Sequence, residues 1–233
     1  MSVKKQNFYS FSQNNAKANF AEWLKSRSLE NWDTMINHRF TKDMAAGTLP
    51  DNVFKRYLHL EHTFVRSAIT IFSYALAKAP SLDDQDRLVA ILYALVNEQE
   101  NYFRETFNSL GIKDLHVTRS KLKGKAALLR DGAVGIAESC SFIEILSTML
   151  AAEWMYLTWC KKAAVGNATG LMKSWIILHI TNDFSDQVNW IINRVNELGM
   201  SASFDVQEAC AKHFGNMLDW EIAFHDAPYE TPC

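Results

Sequence analysis

Four glutamates sit on helix faces where a soluble protein rarely places a charge. At helical spacing, Glu61 falls in line with Tyr57, Leu58, Phe64, Val65, Ala68 and Phe72, and Glu98 with Leu88, Ile91, Leu92, Leu95 and Tyr102. Glu153 shares a face with Leu146, Met149, Leu150, Tyr156, Leu157 and Cys160, and Glu221 with Phe214, Met217, Leu218 and Phe224. A carboxylate so placed must find partners or hold a proton, because an unpaired buried charge costs several kcal/mol or more. Two acids whose surroundings push their pKa values apart can divide the work of base and acid in one reaction. For Glu98, whose neighbours are polar, the ordinary alternative of snorkelling or pairing with Arg or Lys is preferred. For Glu153 and Glu221 the catalytic reading is preferred.

Other chemistries leave weaker traces. A di-iron or di-manganese bundle site needs Glu-x-x-His pairs, yet Glu61, Glu98, Glu153 and Glu221 are followed by HTF, QEN, WMY and IAF. His38 is a lone helical histidine, a weak basis for haem ligation. No G-x-S-x-G, phosphate loop or dinucleotide fingerprint occurs. Cys140 and Cys160 have no assignable His partner in the sequence, and Cys140, Cys160, Cys210 and Cys233 form no CxxC pair, so they read as reduced thiols of a cytoplasmic protein. No metal and no cofactor are expected. Tyr57, Phe64, Tyr102, Trp154, Tyr156, Trp175, Trp220 and Phe224 suit an apolar pocket for a flat ring, although most of them serve equally as core.

The elements that must position these acids are helices. Only nine Gly and four Pro occur in 233 residues, and they fall between periodic segments. Residues 1–13 read as a loose tail. A helix from near Asn14 carries Phe20, Trp23 and Leu24; a second spans Leu29 to Ala46, with His38 within it, and ends at Gly47-Thr48-Leu49-Pro50. Asp51 to Ala79 and Leu82 to Leu110 are long helices closed by Pro80 and Gly111. Residues 112–136 read as a loop and one amphipathic helix, basic over 119–130. The central helix runs from about Ala137 to Val165, apolar nearly all round and therefore buried. Beyond Gly170 a helix bends around Thr181 to Phe184 and stops at Gly199, and the last spans Ser203 to Asp226. With no strand alternation and no linker, residues 14–233 are expected to form one all-α domain, a helical bundle in which the inward acids meet.

Composition narrows the partners. With 24 Lys+Arg against 26 Asp+Glu and no basic stripe, nucleic acid is not expected. No apolar run approaches the ~18–20 residues of a membrane span, and the N-terminus lacks a secretory core. Large apolar helix faces suggest a homodimer or homotetramer.

These features resemble the TenA (thiaminase II) family of the haem-oxygenase-like fold. HRFTKDMAAGTLPDNVFKRYLHLEHTFV is similar to the family's segment of His-Pro-Phe, Gly-Thr-Leu-Pro, Phe-x-x-Tyr-Leu and Gln-Asp. NEQENYFRETFNSLGI resembles its helix ending in Leu-Gly-Ile, and LAAEWMY lies at its catalytic-helix motif. SWIILHITNDF and LDWEIAFHDA resemble its Trp-Ile-x-x-Tyr-x-x-x-x-Phe and Glu-x-x-Phe-Trp segments. The resemblance implies hydrolysis of aminopyrimidine breakdown products of thiamine, with a Cys nucleophile, an Asp on the pyrimidine edge, a C-terminal Glu for proton transfer and tyrosines lining the pocket. Carried over, the C-terminal acid is Glu221. Glu61 holds the Asp position with one methylene more, and the Cys position falls on Glu153. His179 and Phe64 replace pocket tyrosines, and His225 replaces the terminal Trp. The family tyrosine expected near Lys121 has no counterpart.

The missing thiol resembles the branch with Glu in place of Cys, linked to aminopyrimidine and formylaminopyrimidine. The resemblance thus implies metal-free C–N hydrolysis of a small pyrimidine, with Glu153 and Glu221 catalytic and Glu61, Phe64, Tyr156 and His179 contacting substrate. Two alternatives stay open: an oxidase or oxygenase using His38, His179 and His225 with Glu61 or Glu153 to hold a metal or organic cofactor, and a pyrimidine-binding regulator without turnover.

Overall fold

The computed structural model describes residues 6–14, 18–112 and 124–230. These contain α-helices and no strand: α1 (Phe8–Asn14), α2 (Phe20–Arg27), α3 (Leu29–Ile36), α4 (Arg39–Ala46), α5 (Asp51–Lys78), α6 (Leu82–Tyr93), α7 (Glu100–Ser109), α8 (Lys125–Ser139), α9 (Phe142–Ala163), α10 (Gly170–Leu178), α11 (Asn182–Ser201) and α12 (Phe204–Asp226). A single π-helical turn, Ala94–Gln99, joins α6 to α7.

Helix α9 is the axis of the bundle. Its residues from Ile145 to Ala152 are all buried, and it packs against α12, α11, α4, α3 and α5. An apolar surface nearly all round has no other stable place than the middle of a bundle. Around it, α5 buries Tyr57, Leu58, Glu61, Phe64, Val65, Ala68 and Phe72, and α12 buries Phe214, Met217, Leu218, Glu221 and Phe224, the faces expected from the periodicity. Helix α5 is aimed by a tight corner: Gly47 takes a left-handed φ of 70°, the amides of Thr48 and Leu49 both donate to the Asp43 carbonyl, and Pro50 precedes Asp51 in the first turn.

The structure departs from the sequence expectations at five places. Phe8–Asn14 is helical where a loose tail is expected, and the helix expected from near Asn14 begins at Phe20, capped by Asn19; Phe8 packs edge-on to Phe20, their ring centroids 5.2 Å apart. The helix expected over 29–46 is broken at His38, whose backbone is extended (ψ 153°) and whose Nδ1 accepts the Phe40 N–H at 3.1 Å, so this histidine caps α4 instead of lying inside a helix. The central helix begins at Phe142, because Glu144 accepts the Ser141 N–H at 2.9 Å and starts a new helix after α8 has ended at Ser139. Gly199 does not stop α11, which continues to Ser201; the glycine is there because a Cβ would run into the Phe20 ring. The π turn is the fifth. It inserts one residue into the helical count, so the buried positions after it are Phe103, Thr106 and Phe107 and not the series through Glu98 and Tyr102. Of the basic 119–130 stretch, residues 119–123 lie outside the described residues; Lys125 pairs with Asp226 at 3.3 Å and Glu230 at 2.8 Å.

Candidate active site

Three helices deliver one carboxyl each to the centre of the bundle: Glu61 from α5, Glu153 from α9 and Glu221 from α12. Glu61, Phe64, Val65, Ala68, Leu95, Gln99, Met149, Ala152, Glu153, Tyr156, His179 and Phe184 line a cavity of about 40 Å³, room for about one water. Five of the six expected site residues therefore line one cavity. Glu221, the sixth, is completely buried and does not line that cavity, but it is close enough to Glu61 and Glu153 to feel both charges. Glu98 is not part of the group. It is exposed, and the π turn brings Gln99 to the cavity in its place.

The hydrogen bonds are sparse and directional. Tyr156 donates to Glu61 Oε2 at 3.3 Å, and the Tyr57 and Tyr156 hydroxyls are 3.1 Å apart, so a phenol chain backs Glu61. Gln187 Nε2 donates to Glu153 Oε2 at 3.1 Å. Both Glu221 oxygens and His225 Nε2 are buried without a hydrogen-bond partner. His225 Nδ1 lies 2.8 Å from the Glu221 carbonyl oxygen and 3.5 Å from its carboxyl. The shorter contact takes the ring N–H, and burial holds the ring neutral with its pKa at about 3, so this is no ion pair. Orphan polar atoms at 0% exposure are costly, and in a native fold such groups commonly belong to functional sites.

Burial sets the protonation of the acids. It raises Glu61 to about 7, with the Tyr57 and Tyr156 hydroxyls pulling the other way. Burial likewise raises Glu153 to about 8, opposed by the Gln187 hydrogen bond and reinforced by Glu61. Glu221 is pushed well above the ordinary range by burial and then by Glu61 and Glu153. The trio therefore titrates as a coupled set near and above neutrality. His179 is held neutral, its pKa lowered to about 4 by burial, with Nδ1 against the Trp175 carbonyl at 3.0 Å and its ring stacked on Trp175 at 4.0 Å.

Sequence reasoning missed three participants. Gln99 was hidden by the register change; Phe184 stood in the sequence only as the last residue of the Trp-Ile segment, and Gln187, beyond the expected bend, carried no signal of its direction. A groove of about 640 Å³, lined among others by Tyr93, Glu98, Leu178 and Asp183, shares Gln99 and Phe184 with the cavity and reaches Gln187. The expectation that Cys140 lacks a histidine partner is corrected: its Sγ lies 3.8 Å from His213 Nε2. Among the described residues, His38, His179 and His225 do not gather with an acid as a metal-holding group. No described helix is long and apolar enough to cross a membrane.

The arrangement of these helices is the haem-oxygenase-like fold of TenA structures. Solved structures of this class superpose closely: a TenA homologue from Pyrococcus furiosus gives a TM-score of 0.83 at 22% identity, covering 90% of this chain and 100% of that one. A TenA homologue from P. horikoshii gives 0.82 at 17% identity over 91% of this chain and 99% of the other. The chain belongs to the TENA/THI-4/PQQC family, whose model matches residues 26–231. It is similar to the aminopyrimidine aminohydrolases of Helicobacter pylori, 22% identical over 91% of this chain and 99% of the relative, and of Bacillus subtilis, 23% identical over 90% and 89%.

Proposed function

We propose that this protein hydrolyses a C–N bond of a small aminopyrimidine of thiamine breakdown, without a metal. The observation that carries the reading is the convergence of three proton-holding carboxyls, Glu61, Glu153 and Glu221, from three helices. The names of the relatives support the substrate class.

An aminopyrimidine edge offers a ring nitrogen acceptor beside an amino donor. A carboxyl with a pKa of about 7 is present in the acid form, which offers a donor beside an acceptor, so Glu61 matches that edge. Tyr156 and His179 hold Glu61 and the ring in place. Glu153, once ionised, takes the proton from a water that forms the new C–O bond. Glu221 retains its proton at neutral pH and gives it to the departing nitrogen as the C–N bond breaks. For an aminomethyl pyrimidine the products are the hydroxymethyl pyrimidine and ammonia. Among the described residues no cysteine lines the cavity, and burial pushes the Cys160 thiol well above its ordinary pKa, both of which favour the Glu-for-Cys branch over a thiolate route.

A pyrimidine needs more room than one water. Gln99 and Phe184 line both the cavity and the groove and would have to swing aside for entry, and Glu221, buried beyond the cavity, would be reached only if the cavity widens around the ligand. Self-association as a dimer or tetramer belongs to the same reading, supported by the exposed Leu82, Val89, Tyr93 and Val96 of α6 and the π turn; mass in solution tests it.

The test is a thermal-melting panel of hydroxymethylpyrimidine, its aminomethyl and formylamino relatives and thiamine, followed by product analysis. A ligand at a hundredfold its Kd adds about 2.7 kcal/mol of stability. Stabilisation by the aminopyrimidines with release of product supports the reading, binding without product points to a regulator, and no shift with any pyrimidine removes it.

A further inference from the structure

Where α8 gives way to α9, three metal-coordinating side chains meet: Cys140 just past α8, Glu144 in the first turn of α9 and His213 on α12. His213 Nε2 lies 3.8 Å from Cys140 Sγ and 3.4 Å from Glu144 Oε1, and one ligand atom from each falls within 4.8 Å of the others. All three residues are partly buried, within reach of an ion from solvent.

Two chemistries use such a trio, and the geometry separates them. A nucleophile relay puts the thiol on one ring nitrogen and the acid on the other. Here both approach Nε2, whose single hydrogen cannot serve both. A chelate instead aims all three donors at one point. With metal–sulfur bonds of about 2.3 Å and metal–nitrogen or –oxygen bonds of about 2.0–2.1 Å, a tetrahedron has S···N edges of about 3.5 Å and N···O edges of about 3.4 Å. The observed 3.8 and 3.4 Å approach both. Glu144 is already oriented, because its Oε2 holds the Ser141 N–H at 2.9 Å and leaves Oε1 toward the ring, the kind of outer-shell support metal ligands require. The Ser139 hydroxyl stands 3.6 Å from the sulfur.

We propose that Cys140, Glu144 and His213 form a mononuclear site for a divalent ion of the zinc type, with the fourth position left to water. Sulfur and imidazole donors select zinc or cobalt over magnesium or calcium. The site is separate from the acid cavity: Glu144 and Glu153 are nine residues apart on α9, which places them about 14 Å apart along the axis and on opposite faces. An ion here ties the α8–α9 corner to α12, and its binding energy adds to folding stability.

The test uses the full-length reduced chain, stripped by chelator, in a Cys233→Ser background, titrated with cobalt and dialysed. One cobalt per chain, a thiolate-to-cobalt charge-transfer band and a raised melting temperature are expected, with no shift from magnesium. Cys140→Ser and His213→Gln should each abolish the band and the melting shift while leaving the metal-free melting temperature near that of the background. Absence of stoichiometric cobalt, or a band that survives Cys140→Ser, overturns the proposal.

Discussion

Replacing Glu153 by Gln should make the protein more stable while removing its turnover. The ordinary carboxyl pKa of 4.5 is raised to about 8 in the fold, because burial disfavours the charge and Glu61 adds repulsion. Between those values the folded state holds a proton that the unfolded state has released, so stability falls as pH rises through that window. The full shift corresponds to a cost of about 3 kcal/mol at pH 7 and about 5 kcal/mol at pH 9. Glu153 keeps some solvent contact, and Gln retains an acceptor for Gln187. We therefore expect a gain of about 1–3 kcal/mol at pH 7, growing toward pH 9, or about 2–4 °C in Tm for each kcal/mol. Urea unfolding of wild type and Glu153→Gln at half-unit steps from pH 5.5 to 9 measures it. Catalysis should fall by about 10²–10⁴ with binding retained. If the variant is no more stable and its stability follows the same pH slope, Glu153 is not a strained acid, and the basis for its role as base disappears.

Other expectations follow from the same geometry. The kcat/KM of hydrolysis should be bell-shaped between about 7 and 8, because Glu61 must hold its proton while Glu153 is ionised; Gln187→Leu, which removes the donor favouring charged Glu153, should lower the maximum and move the alkaline limb upward, and an unchanged profile would assign it to other groups. Glu221→Gln should still bind aminopyrimidines by calorimetry but lose turnover; full activity would exclude Glu221 as the proton donor. Burial lowers His225 from 6.5 to about 3, so its contribution to stability is complete above about pH 6.5 and is lost as pH falls toward 3; His225→Gln should flatten this acid limb of unfolding, and an unchanged limb would refute it. Gly199→Ala should destabilise by about 1–3 kcal/mol, because the new methyl meets the buried Phe20 ring; an unchanged urea midpoint would show that the ring can move.

The helical class, the central position of α9 and the inward faces of α5 and α12 were legible because each rests on a long, strongly periodic apolar pattern. Glu61 and Glu153 could be placed for the same reason, being interruptions in otherwise apolar faces. What escaped depends on information that periodicity does not carry. His38 was read as helical because its capping role depends on a backbone angle, and Gly199 was read as a stop because its real constraint is an aromatic ring from α2. The bend around Thr181 is legible but not the direction α11 takes after it, which is what aims Gln187 at Glu153, and His213 lies 73 residues from Cys140, so no local spacing connects them.

The π turn at Ala94–Gln99 sets the frame in which the rest of that helix is read. Its extra residue turns an amide, Gln99, toward the cavity and leaves Glu98 outside. Deleting Gln99 itself would restore the α-helical count and put Glu98 in the place the amide now fills. A further carboxyl would then face Glu61 and Glu153, both already pushed toward holding a proton. The irregularity thus acts as a gear tooth: the loss of one residue exchanges a neutral gate for an acidic one.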